Sequence, residues 1–187
     1  MDSDTQVVEH KRIFLALWPD QATRQQLFEL QKRLKHDPEL NTVLHSARTV
    51  IPDNLHMTLH FIGSVSVEVV QALQLCLDSV QCKPFNMIVA TTGCFPKPRV
   101  FWSSLKDTPP ELNELEQQTA ACVQHCMEDY RRIPYRPHIT LFRKVKTLQQ
   151  PEVLPEINWR VKSFALVESK TYPEGVQYRV LKQWPLS

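Results

Sequence analysis

Glycine is scarce: three residues in 187, each isolated, cannot build G-x-G-x-x-G or G-x-x-x-x-G-K. Loops that cradle a nucleotide's phosphates through Gly-rich backbone are therefore excluded. Gly63-Ser64-Val65-Ser66 lacks the second glycine of a nucleophile elbow, which makes Ser64 a turn residue. The H-E-x-x-H and C-x-x-C patterns of metal and redox sites are missing as well. No apolar run approaches the roughly 20 residues of a membrane span. The acidic, polar start Met1-Asp2-Ser3-Asp4-Thr5 does not resemble a signal peptide, so a cytoplasmic location is expected. The five cysteines (76, 82, 94, 122 and 126) are odd in number and irregularly spaced, against a disulfide framework. Cys122, His125 and Cys126 have no second cluster to complete a tetrahedral metal site. Charge of one sign is lacking too, at a net +2, so a nucleic-acid substrate would have to be gripped locally rather than by overall basicity.

What remains, 42% hydrophobic and 22% charged residues, fits one globular domain. Residues 1–11 read as a polar, flexible leader ahead of a single domain over 12–187. Arg12–Trp18 reads as a buried strand, and Asp20 as the cap of a helix to about His36 with Leu27, Leu30 and Leu34 on one stripe. A strand is expected from Leu55 to Ile62, stopped by Gly63, then a helix from Ser66 carrying Val69, Leu73, Leu77 and Val80. Phe85–Thr92 and Val100–Leu105 read as paired strands. Thr108-Pro109-Pro110-Glu111 reads as a capping box opening a helix to about Arg131. Strands at His138–Phe142, Trp159–Val167 and Gln177–Leu181 complete an α+β order.

One local pattern occurs twice. Asn54-Leu55-His56-Met57-Thr58-Leu59 and Arg136-Pro137-His138-Ile139-Thr140-Leu141 both read His-x-Thr-Leu, whereas composition predicts roughly 0.05 copies. Alternation along a strand sets His56 with Thr58 on one face, and Leu55, Met57, Leu59 and Phe61 on the other. His138 and Thr140 share a face in the same way. Two such strands around one cleft would supply two imidazoles, each beside a hydroxyl. That is sufficient for phosphodiester hydrolysis without a metal: one neutral imidazole takes a proton from water, and the other, protonated, gives one to the leaving oxygen. The Thr hydroxyls can donate to phosphate oxygens, helped by a nearby guanidinium.

These motifs resemble the two-histidine (2H) phosphoesterase superfamily, and closely its bacterial RNA 2′,3′-cyclic phosphodiesterases, also called 2′-5′ RNA ligases. Arg12–Leu17, the Asn54–Gly63 and Arg136–Arg143 segments, Arg99–Trp102 and the tail with Tyr178 and Trp184-Pro185-Leu186 carry the likeness. The resemblance implies a bilobal α+β fold, two pseudo-symmetric lobes with antiparallel sheets and outer helices around a central cleft. It also implies hydrolysis of an RNA 2′,3′-cyclic phosphate to a 2′-phosphate, with no cofactor and no metal, and reverse 2′-5′ ligation. His138 would be the proton acceptor and His56 the proton donor. Thr58, Thr140 and Arg143 would bind phosphate, and Phe14 could stack on a base. Alternative substrates are 2′-5′ oligonucleotides or ADP-ribose cyclic phosphate; a non-catalytic RNA-end-binding module is the non-enzyme alternative. A monomer is expected.

Two positions depart from simple expectation. His60 stands where the family carries a small residue; alternation puts it on the face of His56, where it would either line the cleft or be a surface histidine, and its place at a strand end favours the surface. Arg143 lies an odd five residues from His138, so it needs a bulge to turn inward. Arg99, Trp102, Tyr135 and Arg136 are further candidates for RNA contact, equally readable as surface charges and buried aromatics.

Overall fold

A computed structural model describes residues 9–145 and 154–187. Most of the proposed leader, residues 1–8, and the segment 146–153 within the proposed domain lie outside the described residues.

Strand β1 (His10–Leu17) begins two residues inside the expected leader. Helix α1 (Gln21–His36) follows the cap read from sequence: the Asp20 carboxylate accepts from the Thr23 amide at 2.8 Å. Leu27, Leu30 and Leu34 form its buried stripe. A short helix α2 (Asn41–Leu44), strand β2 (Arg48–Thr49) and a 3-10 turn at Pro52–Asn54 lead into β3 (Met57–Ser66). Gly63 does not stop β3, because its φ of +96° lets the strand continue through a distortion. Helix α3 (Val67–Leu77) ends before Val80. Strands β4 (Phe85–Phe95) and β5 (Val100–Leu105) pair as expected.

Helix α4 (Pro110–Cys126) starts with proline in its first turn, but no side chain caps it, so the expected Thr108 box does not form. It also stops five residues short of Arg131. Met127 turns extended (φ −143°), and beyond it Tyr130 bonds to His60 of β3 while Arg132 returns to Glu116 of α4. The remaining strands are β6 (Ile139–Arg143), β7 (Ile157–Val161), β8 (Ser163–Tyr172) and β9 (Gly175–Pro185). The single strand expected over Trp159–Val167 is thus two strands. Burial alternates through β7, whereas Phe164–Val167 are buried consecutively, and the change of pattern marks the division.

The strands run in the order β7-β4-β5-β6-β3-β1-β8-β9, with β2 alongside β6 and every pairing antiparallel. Strands β3, β1, β8 and β9 make one lobe and β7, β4, β5 and β6 with the short β2 the other, and the lobes join through one register pair, Met57 opposite Ile139. Helices α3 and α4 pack together on β3, while α1 reaches across to β7 of the other lobe. Trp159, Phe101, Phe142 and Phe164 are the largest fully buried side chains.

Candidate active site

The β3–β6 seam explains the duplicated motif. With Met57 opposite Ile139 in antiparallel register, His56 falls alongside Thr140 and Thr58 alongside His138. The two motifs therefore interlock about a local two-fold. Both histidines stand just outside their strands and are held identically: His56 Nδ1 donates to the Asn54 carbonyl at 2.7 Å, and His138 Nδ1 to the Arg136 carbonyl at 2.7 Å. A carbonyl only accepts, so each Nδ1 carries a hydrogen and each neutral ring keeps its lone pair on Nε2. The supporting loops are tied down in turn. Asn54 Nδ2 donates to the Val176 carbonyl of β9 at 3.1 Å, and Ser104 Oγ of β5 donates to the Pro137 carbonyl.

Each motif is followed by the same irregularity. Ala16 pairs with Thr58 and Leu15 with His60, so Leu59 is an extra residue in β3; Trp102 pairs with Thr140 and Phe101 with Phe142, so Leu141 is an extra residue in β6. A bulge reverses alternation beyond it. In β6 this turns Arg143 onto the face of Thr140, where it lines the cleft. In β3 it turns Phe61 into the cleft, 54% exposed, against the expectation that Phe61 covers the core face. The Arg12 guanidinium lies 5.0 Å from the Phe61 ring centroid.

The same bulge corrects His60. It is 4% exposed rather than on the surface, turned under α4. Its Nδ1 meets the Tyr130 hydroxyl at 3.1 Å, and its Nε2 meets the Glu116 carbonyl and Thr119 Oγ1, both at 3.0 Å. Glu116 also receives both guanidinium arms of Arg132. Tyr130 and Arg132 belong to the irregular segment between α4 and His138, so this buried network holds the segment that carries the second histidine.

Aromatic rings wall in both imidazoles. Trp18 stacks on His56 with centroids 5.2 Å apart and planes at 10°, and Phe14 and Tyr178 stand 5.0 and 5.1 Å away. Phe14 is only 3% exposed, its ring committed to His56 and Tyr178. Phe95 lies edge-on to His138 at 5.1 Å, backed by Trp102 at 6.4 Å. Gly93 makes room for that indole, since a Cβ there would collide with it. Trp18 and Phe95 escaped sequence reasoning. Trp18 follows Phe14 by an even four residues, which was a usable signal; nothing comparable marked Phe95. His56, Thr58, Thr140 and Arg143 line the cleft; Arg99, Tyr135 and Arg136 do not, and His138 stands at its edge beside Thr58, oriented by the Arg136 carbonyl. The cleft holds about 600 Å³, within the range of small-molecule sites.

A family model described as the 2'-5' RNA ligase superfamily matches residues 18–173. This chain belongs to that superfamily. The superfamily member is 30% identical over 184 residues to the RNA 2',3'-cyclic phosphodiesterase of Escherichia coli, covering 96% of this chain and 98% of that one. It is 32% identical to the protein of the same name from Thermus thermophilus, over 94% and 90% of the two chains. Among solved structures, E. coli LigT complexed with ATP superposes with a TM-score of 0.82 at 28% identity, covering 96% of this chain and 99% of that one. A structure described as a phosphoesterase gives 0.84 at 27% identity with the same coverage. The fold is thus the bilobal α+β architecture expected from the resemblance.

Electrostatics distinguish the superfamily member's two histidines. His56 is held at about 4 rather than 6.5, chiefly by burial, with the Arg143 guanidinium and His138 also lowering it and the Asn54 carbonyl opposing them. His138 is lowered by burial and by Arg143, against the raising effect of the Arg136 carbonyl. Arg143 thus acts on both rings, and the cleft by itself favours neutral imidazoles until an anion arrives. Among the described residues no group of three His, Cys, Asp or Glu side chains converges as metal ligands would.

Proposed function

We propose that this cleft opens RNA 2′,3′-cyclic phosphate ends to 2′-phosphates by paired-histidine acid–base catalysis without a metal. The observation that carries the proposal is the matched pair of imidazoles, each fixed by its own carbonyl with Nε2 left for proton transfer. In the proposed reaction His138 Nε2 takes a proton as the oxygen of water bonds to phosphorus. The P–O3′ bond breaks, and His56 Nε2–H gives its proton to O3′. Thr58 and Thr140 donate to non-bridging oxygens, while Arg143 balances the charge accumulating on them. The phosphate anion itself raises the pKa of His56, charging the acid only when substrate is bound. With a 5′-hydroxyl attacking in place of water, the same groups acting in the same direction break the P–O3′ bond and form a 2′-5′ linkage.

Phe61, exposed in the cleft under Arg12, supports terminal-base stacking better than Phe14, whose faces are already covered. We place the protein in the cytoplasm as a monomer, where its five free cysteines remain reduced. The decisive assay offers purified protein in EDTA an RNA with a 2′,3′-cyclic phosphate end and identifies the product. A 2′-phosphate end is expected. Loss of activity in EDTA, restored by a divalent ion, would refute the metal-independent mechanism.

A further inference from the structure

The short strand β2 pairs with β6 so that Arg48 stands directly opposite Arg143. Directly opposed residues have Cβ atoms about 5 Å apart, and like charges at that spacing destabilise a sheet. Both arginines are exposed and line the cleft, and among the described residues neither has a carboxylate partner within ion-pair distance. Arg143 bears on the two imidazoles, but Arg48 lies one strand further out, against the β8–β9 hairpin tip. The Arg48 guanidinium donates to the Glu174 carbonyl at 3.5 Å and lies across Gly175, where a Cβ would collide with it. A glycine thus makes space for Arg48, which the hairpin holds at the mouth of the cleft. Thr49, Thr171 and Gln177 line the cleft beside it with further hydrogen-bonding groups.

Opposed cations relieve their repulsion by sharing anions, and a single RNA strand presents phosphates one nucleotide apart. We infer that Arg48 binds the phosphodiester immediately 5′ of the terminal nucleotide, making the preferred substrate an oligonucleotide with a cyclic phosphate end rather than a free nucleoside 2′,3′-cyclic phosphate. The inference rests on the reaction proposed above, with Arg143 on the reacting phosphate and Arg48 on the preceding one.

The test compares a nucleoside 2′,3′-cyclic monophosphate with the dinucleotide ending in the same group, hydrolysed by wild type, Arg48→Gln and Arg48→Lys. Wild type should prefer the dinucleotide by about tenfold or more in kcat/KM, as expected of one charged hydrogen-bonding contact. In Arg48→Gln the preference should collapse to within about twofold, chiefly through KM, and Arg48→Lys should restore part of it. The salt dependence of dinucleotide KM should flatten by about 0.7 in log–log slope, the value for one phosphate contact on a single strand. Equal loss on both substrates, or an unchanged preference, would overturn the Arg48 subsite while leaving the reaction standing. Failure of wild type to hydrolyse either substrate would instead overturn the underlying reaction, and the subsite with it.

Discussion

The pH dependence of the reaction follows from the cleft's electrostatics. With His56 pushed down to about 4, roughly one free molecule in a thousand carries the imidazolium at pH 7. The displacement from 6.5 corresponds to about 3 kcal/mol against charging the ring, on the usual conversion of pKa into free energy. If His56 is the acid, kcat/KM, which reports the free enzyme, should already be falling below pH 6.5. Bound phosphate adds a negative charge beside the ring, so kcat should hold to distinctly higher pH. Both limbs belong to the coupled pair of histidines rather than to either alone. Replacing Arg143 by Gln removes a cation that lowers both rings. The alkaline limb of kcat/KM should then move to higher pH while kcat falls. The assay is a pair of steady-state profiles from pH 4 to 9 on one cyclic-phosphate-ended RNA, with chemistry verified as rate-limiting. A kcat/KM flat through pH 6.5–8, or an alkaline limb unmoved in Arg143→Gln, would refute the reasoning.

Other outcomes test the remaining links. His56→Ala and His138→Ala should each lose roughly 10²–10⁴-fold in kcat, with His56→Ala flattening the alkaline limb and His138→Ala the acidic one. Thr58→Ala and Thr140→Ala should cost less, since both proton carriers survive; a folded Thr variant as inactive as the His variants would contradict the assigned roles. Because His56 has a lower pKa folded than unfolded, acid favours the unfolded chain: its contribution is complete above pH 6.5 and is lost as pH falls toward 4. Urea unfolding at pH 7 and pH 5 should show wild type losing up to about 2 kcal/mol more than His56→Asn, and equal losses would contradict a depressed His56. Gly93→Ala should destabilise by about 1–3 kcal/mol through collision with Trp102, read as a lowered urea midpoint at unchanged slope.

The sequence by itself determined the identities at the site. His56, Thr58, His138 and Thr140 were legible because a period-two spacing on an apolar strand is local information, and its duplication made chance improbable. The Asp20 cap and the leucine stripe of α1 were local in the same sense. Only the tertiary structure decided what lies beyond each motif. A bulge is an extra residue relative to a partner strand, so Leu59 and Leu141 cannot be recognised as extra until β1 and β5 set the register. That register turned Arg143 and Phe61 into the cleft and His60 into the core, although alternation alone assigned the opposite faces to all three. The end of α4 was equally illegible, because Tyr130 and Arg132 bond to His60 and Glu116, the first of these 70 residues away in the chain. The meeting of Arg48 with Arg143 likewise exists only once β2 lies against β6.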